Sequence, residues 1–257
     1  MKAARVLEAV ATAEPSSGIT AVQVSSRLGL DRTSTHRLLK TLALAGLVHQ
    51  ADDNRYHPGP ALLAYALSLA SQVGHVPTVR PALAWLVEMT GETATFSIAL
   101  PDQTRVITDQ VESPHASRWV ARVGIPAPLY AGAPGKAILS AWPDEAVARY
   151  LERVKPEPLA DGGIVDANAL RTQLALFRKQ GYAWSRSERV PDGAAVAAPI
   201  LGNPGLVIGA VAIVTPAERL DARRLEEFGR LVRQAAARLV HAFGGPNRAV
   251  TGGRTRE

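Results

Sequence analysis

The chain has 257 residues, of which 47% are hydrophobic, and its mean hydropathy is +0.02, values that favour a globular protein of two domains. No stretch approaches the ~18 to 20 apolar residues of a membrane span, and Lys2, Arg5 and Glu8 interrupt any signal-peptide pattern, so we expect a cytoplasmic protein with no membrane partner. Cysteine is absent, which excludes disulfides, thiolate metal sites and cysteine nucleophiles.

The net charge of +6 does not by itself point to nucleic acid. Residues 1–60, residues 78–243 and the tail from Gly244 each have a net charge of +2, so the positive charge is not concentrated in one part of the chain. An argument for DNA binding therefore depends on where individual cations lie, rather than on the total.

The first sixty residues predict a helix-turn-helix. A helix over residues 3–13 and a loop over 14–18 precede Thr20, a suitable N-cap for a helix over residues 21–28. Gly29 fits the turn because glycine adopts positive φ at low cost. Asp31 is placed to cap a second helix, over residues 32–45.

The second helix has the composition of a DNA recognition helix. Its apolar face comprises Thr35, Leu38, Leu39 and Leu42. The opposite face comprises Thr33, His36, Arg37 and Lys40, and it carries cations and hydrogen-bonding groups but no acid, as major-groove binding requires. A helical bundle with a solvated polar face is the simpler alternative.

A hairpin after this helix completes a winged helix-turn-helix. Residues 47–50 and 55–57 alternate as strand arms around the turn at 52–54, and Arg55 lies at the wing. The candidate DNA contacts are Thr20, Arg32, Thr33, Ser34, His36, Arg37, Lys40 and Arg55.

The remaining chain predicts a linker helix and a second domain. Residues 60–72 form an apolar helix that is broad enough to pack on a partner chain as well as on its own, and residues 74–77 look like a boundary. Helices are expected over residues 79–90, 133–141, 144–153, 166–180 and 220–243. Strands are expected over residues 93–100, 105–111, 118–123, 182–186, 194–200 and 207–214. This mixture favours an α+β sheet with helices on one face, followed by a disordered tail over residues 244–257.

No pattern of catalytic residues is evident. The segment from Gly132 to Lys136 resembles a phosphate loop, but Tyr130 and Ala137 stand where the motif needs glycine and a hydroxyl. The six histidines have no metal-ligand spacing, no serine nucleophile motif occurs, and Glu226-Glu227 fits a solvated helix surface. We therefore expect no enzyme activity, no metal and no cofactor, although backbone N–H groups at the helix start near Gly132 could attract a carboxylate.

Three separated blocks resemble the IclR-type family of bacterial transcription regulators, over about residues 1–243. The blocks are Thr33–Leu42 with Gly46-Leu47-Val48; Val123–Leu139 with its Gly135-Lys136-Ala137; and Gly181-Tyr182 with Ser185, Glu188, Pro191, Ala197–Ile200 and Gly209–Pro216. The resemblance implies a winged helix-turn-helix over residues 1–59, a linker helix over 60–77 and a GAF-like α+β effector-binding and oligomerisation domain over 78–243.

The same resemblance implies the partners. Family members bind double-stranded DNA and a small-molecule effector, and they form dimers, often paired into tetramers. A twofold dimer reads a pseudo-palindromic operator. A structural DNA-binding protein with a vestigial sensor domain, or an enzyme with an appended DNA-binding domain, remains as an alternative.

The resemblance also implies where the effector binds, between the loop at 129–133 and two strands. The candidate effector residues are Trp119, Leu129, Tyr130, Ala131, Gly132, Ala133, Ala195, Val196, Ala197, Ala212 and Val214. Gly132, Ala195, Ala212 and Val214 stand where hydroxyl or thiol side chains occur in the family, and Asp192 stands where glycine is usual. Because hydrogen-bond donors are thereby lost, we expect an effector larger or more apolar than a short keto acid, an aromatic one for example, with Trp119 and Tyr130 as walls.

Overall fold

The computed structural model describes residues 2–14, 17–62, 64–65, 75–100, 103–202 and 206–242. The chain divides between residues 74 and 75 into two compact units. Most of the expected linker helix and the tail over residues 244–257 lie outside these ranges.

The first unit is a helix-turn-helix with a small sheet. Its elements are α1 (Lys2–Ala11), β1 (Ile19–Thr20), α2 (Ala21–Leu28), α3 (Arg32–Leu44), β2 (Val48–Gln50) and β3 (Arg55–Pro58). The strands are antiparallel in the order β1-β3-β2, so the short β1 adds an unexpected third strand to the wing hairpin. Val6, Val24 and Leu39 are each 0% exposed and form the centre of this unit's core.

Both helix caps that the sequence predicts are confirmed. The Thr20 hydroxyl accepts from the Gln23 backbone N–H at 3.2 Å, while the Gln23 side chain accepts from the Thr20 N–H at 2.8 Å. The Asp31 carboxylate accepts from the Ser34 N–H at 2.7 Å, and this hydrogen bond lowers the pKa of Asp31. Gly29 ends α2 at φ +63°, the left-handed conformation that directs the chain into α3.

After the wing, residues 60–62 and 64–65 are helical, in agreement with the start of the expected linker helix. The next helix, α4 (His75–Thr90), begins four residues before the predicted position 79. The expected start was wrong because Pro77 does not break this helix: proline fits the first turn of a helix, where its missing N–H is not needed.

The second unit is a six-stranded antiparallel sheet with helices. Its strands are β4 (Thr93–Ala99), β5 (Thr104–Val111), β6 (Pro126–Pro128), β7 (Ala183–Arg186), β8 (Gly193–Leu201) and β9 (Val207–Pro216), in the order β6-β5-β4-β9-β8-β7. Its remaining helices are α5 (Ala133–Ser140), α6 (Asp144–Arg153), α7 (Ala167–Gln180) and α8 (Ala222–Ala242), with a 3₁₀ turn over Ala217–Arg219. The predicted α+β class is confirmed.

Helices cover both faces of this sheet, so the expectation of helices on one face was wrong. On one face, Leu83 of α4 and Phe228 of α8 pack on Val196 and Ile213. On the other face, the alanines of β8 and β9 pack against α5, α6 and α7. The continuous run of apolar residues in β8 and β9, rather than an alternating one, is the pattern of strands that are buried on both sides.

The strand expected over residues 118–123 was also wrong. The backbone groups there bond to side chains: the Trp119 carbonyl accepts from the Thr93 hydroxyl at 2.7 Å, and the Ala121 N–H donates to the Gln110 side chain at 2.9 Å. The sheet instead gains β6 at its edge, where the prolines at both ends of this strand need donate no hydrogen bond.

The core of the first unit gives a direct test of the fold. Replacing Leu39 by Ala removes a side chain that is 0% exposed, and we expect it to lower the free energy of unfolding by about 2–5 kcal/mol. The matched control is Leu44→Ala in the same helix, where the side chain is 83% exposed and the change should stay within about 0.5 kcal/mol. Urea denaturation followed by far-UV circular dichroism measures both, and equal losses would contradict this packing.

Candidate functional site

The first candidate site is the solvent-facing side of α3. Arg32, Thr33, His36, Arg37 and Lys40 are all exposed, and no acidic residue occurs within the helix. The opposite side of the helix packs into the core through Thr35 and Leu39, which are both 0% exposed. The polar residues are therefore presented on a rigid element, with hydrogen-bond donors and cations free to meet an anionic partner.

Three of the predicted DNA-contacting residues form hydrogen bonds within the protein. Ser34 donates its backbone N–H to the Asp31 cap, and Thr20 takes part in the capping box of α2. Arg55 donates to the Ser17 carbonyl at 3.0 Å, and its Nε lies 3.5 Å from Asp53. These residues sit at helix starts and at the wing, where they order the backbone around α3.

The second candidate site is a cavity of about 130 Å³ in the second unit. Of the predicted effector residues, Trp119, Gly132, Ala133, Ala195 and Val214 line it. Further wall residues, which the sequence did not assign to the effector site, are Thr95, Arg105, Ile107, Val120, Ser185, Glu188 and Arg189. The walls are therefore mainly apolar, with a few convergent polar groups, as is common for small-molecule sites.

The other predicted effector residues do not line this cavity. Leu129, Tyr130, Ala131, Ala197 and Ala212 lie in the core beneath α5, α6 and α7. Val196 lies on the opposite face of the sheet, against α4 and α8, because neighbouring residues of a strand point to opposite faces.

The loop before α5 is fixed by two buried tyrosines. The Tyr150 hydroxyl accepts from the backbone N–H groups of Leu129 and Tyr130, at 3.1 and 3.0 Å. Burial raises the pKa of Tyr150 to about 12, so the phenol stays protonated in this position. The Tyr130 hydroxyl accepts from the Glu157 N–H at 3.0 Å, so this residue supports the loop from the core side.

The amino end of α5 is already occupied by a carboxylate from the chain itself. Glu188 accepts from the Gly132 N–H at 2.8 Å through one oxygen and pairs with Lys136 at 2.5 Å through the other. The Ala133 N–H donates to the Ser185 hydroxyl at 2.8 Å. The expectation that free N–H groups here attract an external carboxylate was therefore wrong, since the helix dipole and these donors are satisfied internally.

Arg105 is the most unusual residue of the cavity. It is 5% exposed, and its Nε is buried without a hydrogen-bond partner among the residues that the structure describes. The hydroxyl of Thr95, another wall residue, is likewise buried without a partner among those residues. Desolvation, and then the nearby charge of Arg189, lower the pKa of Arg105 to about 10, so it remains a cation at neutral pH.

Sequence reasoning missed Arg105 because a single arginine in a strand is usually a surface residue. The signal that could have indicated it is the alternation of side chains along the strand. Arg105 and Ile107 pair with Ala99 and Ser97 on β4, so the arginine shares a sheet face with an apolar residue of its own strand.

Gly132 makes room for the arginines of the cavity. Its φ is +83°, and a Cβ built there would lie 2.9 Å from Arg189 Cγ and 3.6 Å from Arg105 Nη2. A serine at this position, as in the resembled family, would be strained and would collide with Arg189.

Within the described ranges, no group of three or more histidine, aspartate or glutamate residues is arranged to hold a metal ion. None of the helices in those ranges is both long enough and apolar enough to cross a membrane.

Comparison with known proteins gives matches to both units. A model of the IclR helix-turn-helix domain matches residues 1–52, and a model of the C-terminal domain of bacterial IclR transcriptional regulators matches residues 69–241. The HTH-type transcriptional regulator BhcR of Paracoccus denitrificans is 30% identical over 236 residues, which cover 91% of this chain and 84% of that protein.

Solved structures show the same fold. A crystal structure of an IclR-type regulator from Silicibacter has a TM-score of 0.86 at 23% identity, covering 96% of this chain and 97% of that one. An IclR homolog from Microbacterium hydrocarbonoxydans, complexed with 4-hydroxybenzoate, has a TM-score of 0.71 at 22% identity, covering 94% of this chain and 97% of that one.

The buried pair between Glu188 and Lys136 can be tested by removing one charge. The two side chains are 13% and 6% exposed, so Glu188→Gln leaves a buried ammonium without its counter-ion. We expect a loss of about 3 kcal/mol in the free energy of unfolding, measured from urea denaturation midpoints.

The matched control is Glu112→Gln, which breaks an ion pair of 2.9 Å with Arg118 at the surface, where the side chains are 42% and 39% exposed. Its effect should stay below about 1 kcal/mol. If both variants lose the same stability, Glu188 does not anchor α5.

Proposed function

Because the chain belongs to the IclR family of bacterial transcriptional regulators, we propose that it binds operator DNA through α3 and the wing, and that an organic effector in the cavity changes this binding. The observation that carries the proposal is the exposed, acid-free face of α3. As a regulator of bacterial genes it acts in the cytoplasm and has no catalytic role.

The polar face of α3 is assigned to base and phosphate contacts. Arg37 offers a planar pair of donors suited to the acceptor atoms of guanine in the major groove, and Lys40 offers a compact cation suited to phosphate. Thr33 and His36 add shorter hydrogen-bonding side chains on the same exposed face. Arg32, Ser34 and Thr20 lie at helix starts, where backbone N–H groups favour phosphate.

Arg55 is assigned to phosphate at the wing. Its guanidinium uses one Nη for the Ser17 carbonyl and faces Asp53 through Nε. Arginine has five N–H donors, so the remaining ones can still meet a phosphate while these contacts hold the side chain in place.

The regulator acts as a homodimer or a homotetramer. Winged helix-turn-helix proteins place one recognition helix in each half-site, so a twofold dimer is matched to a pseudo-palindromic operator. The linker helix proposed for residues 60–77 is a candidate for self-association.

The cavity is assigned to the effector. It is lined by β4, β5, β8 and β9 together with the start of α5, and its buried Arg105 has an Nε without a hydrogen-bond partner among the described residues. A homolog of the same fold from Microbacterium hydrocarbonoxydans binds 4-hydroxybenzoate, which supports a small organic compound as the type of ligand. Binding alters operator affinity to the extent that the ligand prefers one of two arrangements of the paired DNA-binding units.

The test of the DNA-binding assignment is Arg37→Ala. We expect operator affinity to fall roughly 10- to 100-fold, corresponding to about 1–3 kcal/mol for a lost bidentate base contact. Gel-shift titration on fragments that the wild-type protein selects from random DNA provides the measurement.

The control is Arg149→Ala, which removes an exposed arginine from α6 of the second unit and should leave the affinity unchanged. Circular dichroism verifies that both variants fold. Wild-type affinity in Arg37→Ala would refute α3 as the reading helix.

A further inference from the structure

We infer that Arg105 is the specificity-determining residue of the cavity and that it selects effectors carrying a carboxylate on a compact, mainly apolar body. This inference rests on the proposed function, because it takes the cavity to be the effector site. Three independent observations support it: the charge balance of the walls, the loss of small donors around them, and the volume that they enclose.

The charge balance leaves Arg105 without a counter-ion. Glu188 is the acidic residue in the cavity wall, and both of its oxygens are already used by Lys136 and the Gly132 N–H. Arg105 and Arg189 are therefore two cations that line one cavity, and neither forms an ion pair with a carboxylate of the residues that the structure describes. A buried charge without a partner is costly, and an anionic ligand would remove that cost.

The guanidinium of Arg105 also supplies hydrogen-bond donors in a cavity whose other walls lack hydroxyl or thiol side chains at Gly132, Ala195 and Val214. Ala195 and Val214 present only methyl groups to the ligand, and Gly132 presents no side chain. Because Gly132 has no Cβ, Arg189 Cγ and Arg105 Nη2 approach to within 2.9 and 3.6 Å of where that atom would lie. The sequence indicated that lost donors would leave the carboxylate of a short keto acid less satisfied; Arg105 can supply donors here, since one guanidinium binds both oxygens of a carboxylate.

The walls limit the remainder of the ligand to a small apolar group. A cavity of about 130 Å³ is close to the ~150 Å³ cavity that is known to take up benzene, so it holds a single ring or a short branched chain. Ile107, Val120, Ala195 and Val214 supply apolar surface, and Trp119 supplies an aromatic one. The hydroxyl of Thr95, which has no partner among the residues that the structure describes, is a second donor for the carboxylate or for a ring substituent.

The experiment compares Arg105→Met with the full-length wild type. Methionine keeps much of the length and apolar surface of arginine but has no charge. The matched control is Arg149→Met, the same substitution at an exposed position of α6. The probes are benzoate, its neutral analogue benzamide, and inorganic phosphate, each followed by thermal unfolding and by calorimetric titration.

Benzoate should raise the melting temperature of the wild type and of Arg149→Met, because a ligand that binds only the folded state stabilises it. Benzamide and phosphate should bind at least roughly 10-fold more weakly, as one lacks the charge and the other the apolar body. In Arg105→Met, benzoate affinity should fall by roughly 10- to 100-fold. The ligand-free melting temperature of this variant should stay the same or rise, because an unpaired buried charge has been removed.

Several outcomes would overturn the inference: no stabilisation by benzoate, equal binding of benzamide or phosphate, or undiminished benzoate binding by Arg105→Met. If that variant does not fold, Arg105→Lys carries the same comparison, since it keeps the charge and loses the paired donors. Gel shifts with benzoate and benzamide separate this inference from the proposed function. If benzoate binding depends on Arg105 but leaves operator affinity unchanged, the anion site is supported and effector control is contradicted. If benzamide releases the operator, effector control is supported and selection of a carboxylate by Arg105 is contradicted.

Discussion

The carboxylate of Glu188 links the chain segments that enclose the cavity. One oxygen bonds to the backbone at the start of α5, and the other bonds to the ammonium of Lys136 one turn further on. The same helix packs its buried face on the alanines of β8 and β9, which are too small to hold it away from the sheet. The loop before α5 is bonded in turn to Tyr150. Since Gly132 N–H and Lys136 occupy both oxygens of Glu188, this carboxylate does not neutralise the buried Arg105 in the same cavity.

The first unit was largely predictable from its sequence. Its helices are bounded by local signals, Thr20 with Gln23, Gly29 and Asp31 with Ser34, and local hydrogen bonds do form there as the residue types require. The two-residue strand β1 was missed because its formation depends on pairing with Arg55 and Tyr56, which is a tertiary contact.

The second unit was predictable in its elements and less so in its arrangement. The alanine-rich strands β8 and β9 were placed correctly, but their burial on both sides, and hence the two layers of helices, depends on partners far away in the chain. Similarly, five of the eleven predicted effector residues line the cavity, because a resemblance indicates a region rather than the direction of each side chain. Arg105 was missed because its burial results from the folding of β5 between two other strands.

The internal contacts of Arg55 bear on the proposed contact between the wing and DNA. Fixing a long side chain at an interface costs roughly 0.5–1.5 kcal/mol of conformational entropy. Asp53 and the Ser17 carbonyl already restrict the rotamers of Arg55 in the free protein, whereas Arg37 and Lys40 are exposed on α3. In the proposed complex, the wing would therefore lose less side-chain entropy on binding DNA than α3, whose exposed side chains stay free to adjust.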